Sequence, residues 1–393
     1  MTWKETTKME QKLEFITEWR FGNISISELC RQFEISRPTA YKHIRRYEEK
    51  GLAGLLDRPR APSHQANQTS IEVEDLIVKH REKHPRWGGE KIWKLLQKDV
   101  EEEKIPSIST VNRIIKRNGL IVERKRRPRV KPVYPIFDPK SCNEVWSADF
   151  KGKFKMGNGI YCYPLTIADS YSRFVFSAKA LYAEKYETTK QEFLRVFREY
   201  GLPKQIHTDN GRPFGAVQAI QRITRLSVWF IEQGIEPVYS DPAHPEQNGR
   251  HERMHRDLKG EATRPPGYDL RAQQRKLNSF VQEYNYERPH AALELDTPNS
   301  VHVSSRRQYK EKIDEWVYPS YCQVRRVCRN GALRWRSTKW VMISTSLMEK
   351  NVGLEEIGEG LWRVYFRQKM LGYFDENSLR IQDELGRLKR NNV

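Results

Sequence analysis

Apolar positions along the chain fall into four blocks with different periods, separated by polar, proline-containing stretches. Residues 9–58 and 70–122 carry apolar residues at helical spacing, 141–300 alternate short apolar runs with helical patterns, and 315–384 read as short strands. The segments 57–69, 123–140 and 304–312 read as linkers between them.

The first block reads as a helix-turn-helix. Ser25 and Glu28 have capping-box spacing, Leu29 and Phe33 share a face, and Glu34-Ile35-Ser36 supplies a turn. Ser36 and Pro38 then open a second helix, in which Tyr41, Ile44 and Tyr47 provide the inward positions. That leaves Arg37, Thr39, Lys42 and Arg45 facing outward, where a DNA groove would lie. A purely structural helical bundle is the competing reading. The second block, helix-turn-helix or winged-helix-like, has a core stripe of Trp87, Ile92, Leu95 and Leu96. Ser107 to Thr110 precede a helix with Arg113, Lys116 and Arg117 on its polar side, which is either a DNA-facing or a solvated surface. The linker 123–140 concentrates Arg124, Lys125, Arg126 and Arg127, a run suited to tracking phosphates, and its prolines keep it extended.

In the third block, residues 144–150 read as a buried strand ending in Asp149. Strands at 161–168 and 173–180 follow, then a helix at 186–200 with Phe193, Val196 and Phe197 inward. A short strand, 204–208, delivers Asp209 into an Asn-Gly turn, and a further strand, 235–239, precedes a helix over 246–263. The pattern predicts an α/β layer fold with a mixed sheet, the core of a multidomain α+β chain. Asp149 and Asp209 at neighbouring strand ends, with a glutamate on a helix, converge on one point. Carboxylates bind Mg²⁺ through hard oxygen ligands, and two such ions about 3.5–4 Å apart activate an attacking oxygen and stabilise a leaving one in phosphodiester chemistry. Asp169 either adds a fourth ligand or caps a turn; His207 either assists the metal or a proton transfer or is structural, and His244 and His251 have no assigned role.

Composition narrows the partner. A formal net charge of +19 argues for a polyanion, and no window is apolar over the roughly 18 residues of a membrane span. The five cysteines form no C-x-x-C pair, which argues against zinc sites and for a reducing cytosol. Double-stranded DNA is the leading partner, at a cytoplasmic, nucleoid-associated location.

Three pieces, Trp146-Ser147-Ala148-Asp149, Thr208-Asp209-Asn210-Gly211 and Asn248-Gly249-Arg250-His251-Glu252, look like the catalytic motifs of DDE transposases with a retroviral-integrase-like core. Tyr284-Asn285, Arg288-Pro289-His290 and Thr297-Pro298 are similar to the segment after that core in bacterial insertion-sequence transposases. Pro85-Arg86-Trp87-Gly88 and the run from Pro106 to Thr110 resemble that group's N-terminal half. The resemblance implies a ribonuclease-H-like core with Asp149, Asp209 and Glu252 as catalytic metal ligands, and two Mg²⁺ or Mn²⁺ ions. It also implies cleavage at element ends with joining of the 3′-hydroxyl to target DNA, and a homodimer or higher homo-oligomer on paired ends. One departure is the 42-residue gap between Asp209 and Glu252, longer than the family's usual gap, with the extra length expected as a helix within 215–233.

Glu246 competes with Glu252. At about 100° per residue, Glu252, His255, Arg256 and Lys259 share a helical face and Glu246 lies roughly 120° away, so Glu252 is the expected ligand and Arg256 and Lys259 the expected DNA contacts. The fourth block carries Asn330-Gly331 between strand-like runs, a hairpin signal, and predicts a small β-barrel like the terminal barrel of these transposases. Its Arg325, Arg326, Arg334 and Arg336 either contact phosphates or keep it soluble. Two alternatives remain: a DNA-binding regulator with an inert core, against which three intact carboxylates argue, and a nuclease that does not join, against which the tandem helix-turn-helix modules argue.

Overall fold

The computed structural model describes residues 7–57, 68–121, 138–216, 219–240 and 249–382. Contacts divide the chain into two compact units, the first ending at Ser70 and the second beginning at Ile71.

The first unit is built from α1 (Lys8–Phe21), α2 (Ile26–Gln32) and α3 (Arg37–Lys50), followed by a 3₁₀ turn at Gly51–Leu55. Phe15, Ile16, Leu29, Ala40, Ile44 and Leu55 form its small core. Ser25 Oγ accepts the Glu28 N–H, one half of the expected capping box, while Ser36 at the start of α3 makes no capping bond and instead pairs with Thr39 Oγ1 at 2.9 Å. Glu34 takes positive φ in the turn. Tyr41 does not face the core as its spacing predicted. Ala40 and Ile44 fill that face, and Tyr41 is exposed, one turn from both Arg37 and Arg45.

The second unit starts with α4 (Ile71–Lys83), α5 (Gly89–Asp99) and α6 (Ile108–Arg117). Their apolar stripes meet around Trp87, Ile77, Ile92, Leu96, Val111 and Ile115. The helices α5 and α6 approach closely where Gly89 leaves room for the Asn112 side chain.

The third block follows as β1 (Val145–Phe150), β2 (Phe154–Lys155), β3 (Tyr161–Asp169), β4 (Val175–Leu181), α7 (Tyr186–Tyr200), β5 (Gln205–Thr208), α8 (Arg225–Glu232), β6 (Glu236–Tyr239), α9 (Gly249–Ala262), α10 (Leu270–Gln282) and the short α11 (Pro298–Val301). Its sheet runs β4-β3-β1-β5-β6, with β2 paired to the start of β3. The first three strands in chain order of this path are antiparallel, and β1, β5 and β6 are parallel. Alternation along the strands sends Trp146, Ala148, Leu165 and Ile167 toward α7 and α8. The opposite face packs Ala168, Val175 and Ala178 against Met254, Leu258, Leu277 and Phe280 of α9 and α10. The expected mixed-sheet layer fold is the one observed.

The outer edge of β4 is closed by two side-chain amides. Gln274 accepts the Ala180 N–H and donates to the Ala178 carbonyl, while Asn285 does the same for both groups of Val175 at 2.9 Å each. An open edge strand invites pairing with another chain, and these amides remove that opportunity. Asn285 reaches the edge from a π-helical turn, Glu283–Glu287, that ends α10.

The fourth block comprises β7 (Cys322–Arg326), β8 (Ala332–Trp335), β9 (Lys339–Met342), β10 (Asn351–Gly358), β11 (Leu361–Phe366), β12 (Lys369–Asp375) and β13 (Arg380–Gln382). Among the described residues these make no closed sheet. Five strands run β13-β12-β11-β10-β7, and β8 pairs separately with β9. The Asn330-Gly331 turn forms, but the hairpin it signals amounts to one bridge, Val327↔Leu333, because β7 lies along β10 and β8 along β9. The segment expected as one helix over 215–233 is a 3₁₀ turn at Ile220–Arg222 followed by α8. Ile220, Ile223, Val228 and Ile231 from this stretch enter the same core as Leu333, Trp335, Val364 and Phe374. The added length between Asp209 and α9 therefore makes a seat for the C-terminal sheet.

Candidate active site

The register of the sheet decides where the carboxylates meet. Ala148 pairs with Thr208 across parallel strands, so the next residue of each, Asp149 and Asp209, leaves the same sheet end side by side. Along the other side of β1, Asp149 pairs with Thr166. Ser147, Asp149 and Thr166 point toward α9, opposite the aromatic face.

The electrostatics agree with this convergence. Burial, then the neighbouring Asp209 and Glu252, raises the Asp149 carboxyl to about 7. Burial also raises Asp209, although the Gly211 N–H bonds its Oδ1 at 3.0 Å and opposes the shift. Glu252 stands on the exposed side of α9 near Asp149, with Arg256 and Lys259 exposed along the same helix. Glu246 lies outside the described residues.

His255 departs from the predicted face. It is buried with His251, Met254, Leu258 and Ala262 in the stripe that packs on the sheet. His251 Nδ1 lies 2.8 Å from Ser147 Oγ, and both His251 Nε2 and His255 Nε2 approach Thr166 Oγ1, at 2.7 and 2.6 Å. The second ring nitrogen of His255, Nδ1, is 3.6 Å from Asp149 Oδ2. Burial, with His207 nearby, pushes His251 down to about 3; burial likewise lowers His255. His207 bonds Ser240 Oγ at 2.9 Å, and burial brings it to about 4.

Asp169 is not part of this cluster. Antiparallel pairing sets it opposite Trp146, three residues back along β1, or about 10 Å at strand spacing. It accepts the N–H groups of Asn143 and Ser172 and the Ser172 hydroxyl, so it caps a turn beside Cys142 and His302.

Two groups escaped the sequence reading. Lys151 sits two residues beyond Asp149, its amine lowered by burial and by Lys259 and raised by Asp149, so both amines border the carboxylates. Glu184 is raised by burial and by Asp209, which adds a fourth acidic group at the margin. Neither lies at a position that periodicity or a turn signal singles out.

Of the outward residues of the helical blocks, Arg37, Lys42 and Arg45 are exposed on α3, and Thr39 is half-buried. Arg37 also donates to Ser27 Oγ at 2.6 Å. Arg113, Lys116 and Arg117 are exposed on α6, with Arg117 paired to Glu74. Arg124, Lys125, Arg126 and Arg127 lie outside the described residues. No described helix is long and apolar enough to cross a membrane.

Family models match four stretches of the chain. An integrase core domain matches residues 139–245 and a second integrase core model 233–298. A helix-turn-helix domain matches 11–63 and a homeodomain-like domain 39–115. An uncharacterised protein of insertion element IS407 from Burkholderia multivorans is 23% identical over 288 residues, covering 72% of this chain and 92% of that protein. The transposase InsD of insertion element IS2 from Escherichia coli is 27% identical over 229 residues, 54% of this chain and 72% of that one. The solved catalytic core domain of HTLV-2 integrase aligns with 42% of the chain and all of that domain, at 18% identity and a TM-score of 0.34. The chain thus carries stretches that match integrase core and helix-turn-helix domain models, and it resembles the transposases of bacterial insertion sequences.

Proposed function

We propose that this chain is a DNA transposase of the DDE type, which cleaves at the ends of a mobile element and joins the freed 3′-hydroxyl to target DNA. The observation that carries the reading is the convergence of Asp149, Asp209 and Glu252 on one sheet end. Three carboxylates, with Asp149 lifted to about 7 by burial and then by its acidic neighbours, form a donor set that fits hard divalent cations, Mg²⁺ or Mn²⁺, and in number suits two. Bound there, such ions polarise a phosphodiester and lower the pKa of an attacking hydroxyl. Asp149 and Asp209 hold this position from rigid strand ends, and Glu252 approaches from the outer side of α9. Lys151 and Lys259 supply positive charge for phosphates, Arg256 extends it along α9, and Asn210 fixes the turn after Asp209 by donating to the Ser240 carbonyl at 2.6 Å.

The two helical modules bind the element ends. Arg37, Tyr41 and Arg45 form one exposed stripe on α3, flanked by Lys42, that reads a groove, while Arg113 and Lys116 on α6 and the 124–127 arginine–lysine run follow the backbone. Full activity requires two or more copies on paired ends, at the nucleoid.

The test is a duplex carrying the element's own terminal sequence, incubated with the full chain and Mg²⁺ or with chelator. Mg²⁺-dependent cleavage followed by strand joining is expected. Cleavage with no joined product would make the protein a nuclease, and binding without cleavage a regulator. On the same duplex, Arg45→Ala is expected to weaken binding by about 1–3 kcal/mol and to relax the preference over a scrambled duplex, read by fluorescence anisotropy. An unchanged affinity and preference removes α3 from the DNA path.

A further inference from the structure

Thr166 is fully buried, yet its hydroxyl meets three polar groups from two other elements, β1 and α9. It lies 3.0 Å from the Asp149 carbonyl, 2.7 Å from His251 Nε2 and 2.6 Å from His255 Nε2. A threonine hydroxyl has one proton to donate and two lone pairs to accept with. The Asp149 carbonyl can only accept, so the single proton goes there. Both lone pairs then receive hydrogen bonds, which requires a proton on Nε2 of each histidine. His251 Nδ1 can in turn accept the Ser147 hydroxyl proton at 2.8 Å. His255 Nδ1 faces Asp149 Oδ2 at 3.6 Å.

One oxygen therefore fastens the strand of Asp149 to the helix of Glu252. We propose that Thr166 is a positioning residue that sets the spacing of these two carboxylates, through Nε2-protonated His251 and His255, and so tunes how tightly the site takes a divalent cation. This rests on the reading of Asp149 and Glu252 as metal ligands. Glu252 lies between the two histidines in sequence, exposed where they are buried, so a shift of the helix at Thr166 moves its carboxylate relative to Asp149. Hydrogen-bond partners one shell out from metal ligands typically change metal affinity by about 10–100-fold when removed.

The experiment titrates Mn²⁺ alone into the full, metal-free chain by calorimetry. Four proteins are compared: wild type, Asp149→Asn, Thr166→Val and Thr166→Ser. Valine keeps the shape of threonine without the hydroxyl; serine keeps the hydroxyl. Thr166→Val is expected to weaken Mn²⁺ binding about 10–100-fold, with Thr166→Ser within a few-fold of wild type and DNA-end affinity unchanged in both. A purely structural role would lower the melting temperature of Thr166→Val but leave the Mn²⁺ affinity of the folded protein at the wild-type value, which overturns the proposal. If Asp149→Asn loses Mn²⁺ binding and Thr166→Val does not, the hub alone fails. If Asp149→Asn binds as wild type does, the assignment of Asp149 to the metal fails and the hub's role falls with it. The ¹⁵N-histidine spectrum of the metal-free wild type needs no variant to fold: an Nδ1–H-only tautomer at either His251 or His255 is incompatible with the hub.

Discussion

In metal-free buffer at pH 8, Asp149→Asn is expected to melt at a higher temperature than the wild type while supporting no detectable strand joining. The folded protein holds the Asp149 carboxyl at about 7, chiefly by burial and then through Asp209 and Glu252. In the unfolded chain it titrates near 3.8. The native state thus binds this proton more tightly than the unfolded state, so the group costs nothing below about pH 4 and its cost grows as pH rises toward 7. A displacement of about three pH units corresponds to at most about 4 kcal/mol, present in full above pH 7. Asparagine carries no charge to desolvate. The melting difference should therefore be largest at pH 8 and close as the pH approaches 4. Adding Mg²⁺ should reverse the order at pH 8, since only the wild type gains a ligated ion. Duplex binding should survive the substitution, because α3 lies in a separate unit of the chain. Joining at near wild-type rate by Asp149→Asn would exclude it as a metal ligand, and a variant less stable at every pH would show that its carboxylate is not under repulsion.

Asp149 and Asp209 were legible in the sequence because a strand that ends in a carboxylate before a turn is a local pattern. Sheet order then brought them together through pairing that no local pattern encodes. His255 shows the limit. Its angle on the helical wheel groups it with Glu252, but its ring enters the apolar stripe of α9 because Thr166 offers a partner across the sheet. A polar side chain is buried where it is bonded, and that partner lies 89 residues away. Tyr41 failed in the opposite sense: helical spacing counts any aromatic as inward, whereas the small core of the first unit is already filled by Ala40 and Ile44. The C-terminal strands were visible one by one from their alternation. Their common core also takes in Ile220, Ile223, Val228 and Ile231, a stretch far earlier in the chain that no local alternation links to them.

Arg288→Ala is expected to destabilise the second unit by about 3–5 kcal/mol, the cost of stripping one partner from a buried ion-pair group. The Arg288 side chain is 4% exposed. Its guanidinium reaches Asp257 Oδ2 at 2.7 Å and both Glu261 oxygens at 3.0 Å, all on α9, one turn apart. Its flat face meets Trp87, at 5.8 Å, and Tyr284, at 5.6 Å. Trp87 comes from the segment between α4 and α5, so this one side chain joins the second helical module to the helix of Glu252. Around it, His84 bonds Glu283 at 3.1 Å, Lys83 pairs with Glu287 and Lys94 with Asp296. The two lysine pairs are more exposed and contribute little individually. Burial raises the Glu261 carboxyl, and Arg288 is the leading influence opposing that rise. Without the guanidinium, Asp257 and Glu261 would face each other beside an empty slot under Trp87, with Arg86, 4.0 Å from Glu261, a weaker counter-charge. Arg288→Lys should recover only part of the loss, because an ammonium cannot bond two carboxylates in one plane or stack on the indole. Combining Arg288→Met with Asp257→Asn and Glu261→Gln should recover more than the lysine does, because it removes the unpaired charges and refills the slot. Urea unfolding followed by tryptophan fluorescence measures all three. A loss below about 1 kcal/mol for Arg288→Ala would mean that water relieves the two carboxylates as well as the guanidinium does, and that the second module is held by its apolar contacts instead.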